Sequence, residues 1–307
     1  METEPDPRAE HPSTYAVQDR SSQEELTRLH VQDQMVTAGM GGVLPEQSDT
    51  TTFQKILDVG CGPGGWLIAV AKTYPGASLL VGVDISGKML AAARTQAEAL
   101  GMSDRVEFHV MDALRMLEFP TGFFDLVNLR FAQSWLRTWD WPKLLQEFSR
   151  VSRPGGVIRL TDSDFWQGNS PAFQRLNAPW PEAAYRAGLY FTPDRNGVTS
   201  QLARLLDQHG ILNVQTRACR LEYRAGTPEG QHFYEDVRLG ARTGLPFLRK
   251  WTQVPDDYET LYQQMLSEMQ QPDFVGTWDL LTAWGTSPSK DKSTPPVSMW
   301  TDRESHT

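Results

Sequence analysis

A strand–turn–helix seam at residues 55–73 restricts this chain more than any other feature. Ile56-Leu57-Asp58-Val59 is an apolar run broken by one acid, and it enters Gly60-Cys61-Gly62-Pro63-Gly64-Gly65 before helical spacing resumes at Trp66. Such a turn leaves backbone N–H groups unhindered by side chains at the carboxyl end of a sheet, where nucleotide-like ligands cross. The glycines alone do not choose the ligand, because Gly60-x-Gly62-x-x-Gly65 also satisfies the dinucleotide fingerprint.

The surrounding pattern alternates strand and helix, which implies a parallel sheet flanked by helices. Residues 55–60, 78–85, 106–110, 124–129 and 156–161 read as strands, and 64–73 and 88–100 as helices. Leu144, Leu145, Phe148 and Val151 mark a further helix, ended by Arg153-Pro154-Gly155-Gly156. Upstream, Leu26, Leu29, Val36 and Met40 recur at helical spacing behind the capping box Ser22-Gln23-Glu24-Glu25. Gln32 falls on that apolar stripe, so its amide requires a hydrogen-bond partner, either backbone or ligand.

After Asp164 about thirty residues rich in Trp, Phe, Pro and Asn lose this regularity, which suits a cap over a pocket. Val198, Leu202, Leu205 and Leu206 then indicate a helix stopped by Gly210. A strand is expected over 213–223, mostly helix over 229–271, and a closing strand over 274–284. The expected organisation is a single domain over 15–285. It comprises a lid at 15–42, a ligand-binding core at 53–164 and a cap at 165–200 and 225–271. Tails at 1–14 and 286–307 are expected to be disordered.

With 307 residues, 39% hydrophobic and 22% charged, the chain can bury one sizeable core. No run approaches the roughly 18 apolar residues of a membrane span, and residues 1–13 lack the apolar stretch of a secretory signal. The expectation is therefore a cytoplasmic protein without a membrane partner, as monomer or homodimer. A net charge of −9 argues against nucleic acid and for a small-molecule substrate. Cys61 lies inside the glycine turn, far in sequence from Cys219, so no disulfide is expected and Cys61 reads as a small buried filler.

Three acids at successive strand ends separate the ligand classes. Asp58 can hold the turn or face an ammonium group, which suits an amino-acid-bearing ligand better than a pyrophosphate. Asp84, ending Leu79-Leu80-Val81-Gly82-Val83, can accept both hydroxyls of a ribose, and Met111-Asp112-Ala113 can place a carboxylate at an exocyclic amine. Asp125, at the start of its strand, reads as structural.

Asp58-Val59-Gly60-Cys61-Gly62-Pro63-Gly64 resembles the first motif of class I S-adenosylmethionine-dependent methyltransferases. Val83-Asp84-Ile85-Ser86, Asp112-Ala113, Phe124-Asp125-Leu126-Val127 and Arg153-Pro154-Gly155-Gly156 resemble the later motifs in order, over residues 55–164. The ubiquinone/menaquinone C-methyltransferase-like small-molecule branch is the most similar. The resemblance implies a Rossmann-like α/β three-layer sandwich, with a mostly parallel seven-stranded sheet, a helical N-terminal lid and helical cap insertions. It also implies S-adenosyl-L-methionine as cofactor.

Carried onto this chain, it puts Asp58, Gly60, Cys61, Gly62 and Gly64 at the methionine end, Asp84 and Ile85 at the ribose, and Asp112 and Ala113 at the adenine. Asn128, Leu129 and Arg130 would pass beneath the sulfonium, and Tyr15 and Gln32 would belong to a lid. Met111 departs from the glycine common in relatives.

The implied reaction is methyl transfer to a small organic metabolite, apolar or aromatic, at oxygen, nitrogen or carbon. The alternatives are a non-methylating cyclase or binding protein that keeps the cofactor, and an NAD-dependent dehydrogenase. Displacement at a methyl carbon needs alignment and a dry pocket more than a base. Where a proton must leave, Asp162 and Asp164 stand at a strand end with Arg130 as electrostatic partner. A metal site needs several oxygen ligands, and Arg130 would repel the ion, so no metal is expected. His30 and His109 are placed as bland surface or packing residues. Among the aromatics after the fourth and fifth strands, Trp135 and Trp166, with Gln133, are the first candidates to line the acceptor pocket.

Overall fold

The computed structural model describes residues 23–288. The N-terminal helix α1 (Gln23–Gly39) is followed by a core of β1 (Lys55–Val59), α2 (Gly65–Thr73), β2 (Leu79–Asp84), α3 (Gly87–Ala99), β3 (Val106–Val110), β4 (Phe124–Arg130), α4 (Trp141–Val151) and β5 (Ser152–Ser163). The second half contributes β6 (Gln167–Gly168), α5 (Pro171–Asn177), α6 (Trp180–Arg186), α7 (Leu202–Gln208), β7 (Leu212–Arg224), α8 (Pro228–Thr243), α9 (Leu245–Trp251), α10 (Tyr258–Glu268) and β8 (Val275–Thr286).

The sheet runs β3-β2-β1-β4-β5-β8-β6, with β7 also paired to β8. Its first five strands are parallel, and β8 lies antiparallel to β5, β6 and β7. This is the expected mostly parallel α/β sheet. The strand beyond the expected seven is β6, whose two residues are too few to carry a periodic signal.

The parallel strands are apolar on both faces because helices cover both. Ile56, Leu80 and Leu126 pack with Trp66 and Leu67 of α2 in one core; Leu57, Val59, Val81, Val127 and Leu129 join α4 and the cap in the other. At the far edge, β7 is mostly exposed and carries Arg217, Arg220, Glu222 and Arg224 along its length.

Asp125 anchors the entry of β1. One carboxylate oxygen accepts from the backbone N–H of Gln54 (2.9 Å) and Lys55 (2.8 Å), and the other pairs with Arg153. The structural reading of this acid therefore has a cause: it ties the starts of β1 and β4 to the start of β5. Asp125→Ala should lower unfolding free energy by about 1–3 kcal/mol, since two backbone donors lose their acceptor. Denaturant unfolding measures it, and ligand affinity at the opposite strand ends should not change.

Candidate active site

Three left-handed residues build the glycine turn: Gly60, Gly62 and Gly64 have φ of 67°, 53° and 76°. Side chains rarely adopt that conformation, so the spacing reflects backbone geometry first. Two bonds hold the turn to the neighbouring strand: the Cys61 N–H donates to the Val83 carbonyl (3.0 Å), and the Gly62 N–H to Asp84 Oδ2 (3.0 Å). Asp84 Oδ1 also accepts from the Ser86 N–H (2.8 Å), while the Ser86 hydroxyl caps α3. Asp84 is thus a loop fastener, and it remains in the wall of the cavity above.

That cavity measures about 350 Å³ and runs across the strand ends. Its carboxylate side is set by Asp58, Asp84 and Asp112; its aromatic side by Phe131, Phe165, Trp166, Trp180 and Trp278. The rings support one another, with Phe165 stacked on Trp180 (5.3 Å between centroids) and Phe131 on Trp278 (5.6 Å). Glycines at 240 and 244 admit these indoles, since a Cβ would lie 2.9 Å from Trp166 and 2.2 Å from Trp180 respectively.

The lid helix closes another side through charged groups. Asp33 pairs with Arg130, and its carboxylate approaches Gly65 so closely that a Cβ there would sit 2.4 Å from Oδ2. Arg28, 8% exposed, bridges Glu25 (2.7 Å) and Asp236 of α8 (3.0 Å). Gln32 donates to Asp236 Oδ2 (3.4 Å), which supplies the partner its position requires and leaves it in the cavity wall. Burial pushes Asp236 up to about 6, against the pull of Arg28.

Burial likewise pushes Asp58 up to about 7, opposed by the Arg130 charge and by the Asn128 amide, which donates to it at 2.8 Å. The Cys61 thiol is driven well up by burial and by Asp84 and Asp58, so it stays protonated; the residue is half-buried and stands in the cavity wall rather than being the fully buried filler expected. Both cysteines are free.

Residues 56–156 match the methyltransferase domain family model. The chain carries a class I, S-adenosylmethionine-dependent methyltransferase domain. Demethylmenaquinone methyltransferase from Thermus thermophilus is 41% identical over 106 residues, 34% of this chain and 45% of that protein. The 27-O-demethylrifamycin SV methyltransferase of Amycolatopsis mediterranei is 27% identical over 267 residues, covering 87% of this chain and 83% of that protein. Several matches are partial: the chain spans 22% of phosphoethanolamine N-methyltransferase 3 from Arabidopsis thaliana and 46% of methyltransferase GfsG from Streptomyces halstedii. In fold, the chain resembles the YcgJ protein of Bacillus subtilis, with TM-score 0.53, 17% identity, and coverage of 82% of this chain and 99% of that one.

The expected cofactor residues divide into two groups. Gln32, Asp58, Gly60, Cys61, Gly62, Asp84, Ile85, Asp112, Ala113 and Arg130 all line the cavity. Gly64, Asn128 and Leu129 do not. Gly64 is turned toward Phe108 and Ala93, Leu129 is in the core on the opposite sheet face, and Asn128 is bonded to its neighbours on adjacent strands. Tyr15 lies outside the described residues, as does the Ser22 of the capping box. Asp112 accepts from the Leu114 N–H (2.9 Å), a turn contact that leaves it in the wall.

The acceptor candidates divide similarly. Gln133, Trp135 and Trp166 line the cavity, and the Gln133 amide is fixed by Ser163 Oγ (2.6 Å) and the Tyr190 hydroxyl (2.7 Å). Asp164 is in the wall, bonded by Thr199, with its pKa raised by burial. Asp162 is not: it accepts from the Gln133 N–H (3.0 Å) and Ser163 N–H (3.0 Å) and supports the wall from behind, raised by burial to about 7. Arg130 is engaged by Asp33. Trp139 is exposed over Gly188, and Trp141 and Phe173 belong to the core. His30 bonds Gln34 on an exposed helix face and His109 pairs with Glu107, away from the cavity.

Arg28 belongs to the segment that the resemblance reads as a lid, and it lines the cavity; sequence reasoning missed Asp33, Phe131 and Trp278. Asp33 gave a weak signal, being an acid one residue after the buried Gln32; Trp278, on the closing strand, gave none.

Proposed function

We propose that the chain transfers a methyl group from S-adenosyl-L-methionine to a small organic acceptor with a flat, apolar or aromatic body. The observation that carries this reading is the polarity of one cavity: three carboxylates at successive strand ends on one side, stacked indoles and phenyl rings on the other. The residues fit the cofactor. A Cβ at Gly62 would meet nothing within 4 Å, so the turn's backbone is uncovered where a ligand would lie. The bound cofactor supplies a methyl carbon activated by its sulfonium.

The chain's own residues bind, orient and exclude water. Asp58 takes the ammonium end, Asp84 the ribose hydroxyls and Asp112 the adenine amine. The aromatic wall receives the acceptor's face, and desolvation there strengthens every electrostatic contact. For a hydroxyl or amine acceptor, Asp164 is the carboxylate placed to take the proton. Asp162, which holds Gln133 from behind the wall, and Arg130, which ties the lid through Asp33, support that geometry. Mass spectrometry with candidate metabolites and labelled cofactor tests the reading: a gain of one methyl group is expected, and conversion without that gain would overturn it.

Asp58 gives the binding a pH signature. Its midpoint is pushed up to about 7, and the ionised form attracts an ammonium. Affinity for S-adenosylhomocysteine should therefore rise with pH from 6 to 8, by up to about tenfold per unit below the midpoint, and flatten above it. Asp58→Asn should abolish that slope in calorimetric titrations.

A further inference from the structure

The strand register places three buried polar side chains in one row. Asp58 of β1 pairs with Asn128 of β4, and Asn128 with Arg159 of β5, so the three lie side by side on the sheet face covered by α2. Parallel strands with helices on both faces are normally apolar throughout, and each of these residues interrupts a run such as Leu126-Val127-Asn128-Leu129 or Val157-Ile158-Arg159-Leu160. Burying a polar group here costs free energy unless it is bonded.

The row is bonded along its length. Asn128 Nδ2 donates to Asp58 Oδ1 (2.8 Å), and Arg159 Nη1 donates to Asn128 Oδ1 (2.8 Å). Arg159 ends on Glu46, with Nε 2.7 Å from Oε1 and Nη2 3.3 Å from Oε2; both side chains are 1% exposed. Trp66 of α2 lies under the Arg159 guanidinium at 5.9 Å. None of Asn128, Arg159 or Glu46 lines the cavity; Asp58 alone does.

The chemistry of the row has one direction. A guanidinium has donors and no acceptor, so it must meet the oxygen of the Asn128 amide. The amide nitrogen is then turned to Asp58, where it can bond a carboxylate. Glu46, in turn, supplies the charge that lets Arg159 stay buried.

We infer that Glu46, Arg159 and Asn128 form a positioning relay, running behind the cavity wall, that fixes the Asp58 carboxylate as an acceptor aimed at the cofactor's ammonium end. This rests on the proposed cofactor reading for its last step and on geometry alone for the others. Without Arg159 the amide is free to turn its oxygen toward Asp58, and the carboxylate loses a donor. The charges facing Asp58 are Arg130 and Arg159, which favour its ionised form, and Asp33, which opposes it.

The test is the paired variant Glu46→Met/Arg159→Met, which removes both members of the ion pair and leaves no unpaired buried charge. Carbon-detected NMR of the Asp58 carboxyl in the ligand-free protein reads the relay directly. Its midpoint should rise by about one pH unit or more. Calorimetry with S-adenosylhomocysteine at pH 7 should show affinity reduced several-fold or more, and Arg159→Lys, which keeps a donor facing Asn128, should restore part of both. A second variant, Asn128→Leu, should raise the Asp58 midpoint with the Glu46–Arg159 pair still present. A folded paired variant with unchanged midpoint overturns the relay. Because Arg159 also acts on Asp58 through its charge, an unchanged midpoint in folded Asn128→Leu likewise overturns the relay; a midpoint raised in both variants with unchanged affinity upholds it and overturns the assignment of Asp58 to the cofactor.

Discussion

Asp84→Ala weakens S-adenosylhomocysteine binding by about 1.5–3 kcal/mol, or roughly 10- to 150-fold, in an isothermal titration at pH 7.5. Two losses contribute. The proposed ribose contact is a charge-assisted hydrogen bond, and the same carboxylate holds the Gly62 N–H at 3.0 Å and the Ser86 N–H at 2.8 Å. Releasing Gly62 removes one of the two bonds that hold the left-handed glycine turn to β2, leaving the Cys61 N–H to Val83 bond. Asp84→Asn separates these contributions: its amide oxygen can keep one backbone donor but cannot serve both, so its loss should fall between the wild-type and alanine values. An unchanged dissociation constant for Asp84→Ala removes this residue from the site.

Glu46→Ala has the largest expected effect on stability. Arg159 is 1% exposed, and burial already lowers its pKa against the pull of Glu46. Removing its carboxylate leaves a buried guanidinium without a counter-charge, which typically costs about 3–5 kcal/mol. The paired Glu46→Met/Arg159→Met change should cost far less, because two apolar side chains of similar reach need no such compensation. Denaturant unfolding of both variants checks this. Equal losses would mean that the pair matters for packing alone.

The core was legible because its signals are local. Each parallel strand is a short apolar run, and the turn at Gly60–Gly64 requires the glycines that announce it, so element positions agree to within a residue or two for β1 to β4. The structural role of Asp125 was legible from its place at the start of its strand, although its partners Gln54, Lys55 and Arg153 were not. The site's other walls depend on pairings that no spacing encodes: Asp33 meets Arg130 across 97 positions and Arg28 meets Asp236 across 208.

Asn128 is the instructive case. Resemblance put it beside the cofactor, whereas the register puts it between Asp58 and Arg159 on neighbouring strands, one bond removed from the cavity. The available signal was a polar residue at the centre of three apolar strands. Only the strand order reveals that the three are adjacent.

The long outer strand β7 carries a constraint of a different kind. Among the described residues it pairs only with β8, so one side of a 13-residue strand offers backbone groups that another chain could template upon. Its arginines and Glu222 make a flat second strand a poor match there. Arg217 also donates to the Pro45 carbonyl, Arg220 pairs with Asp279 of β8 and Arg224 with Glu222, so these charges are held in place along the edge. Neutral apolar drift at these positions would surface first as self-association in a crowded cell, while the chemistry at the far strand ends continued unchanged.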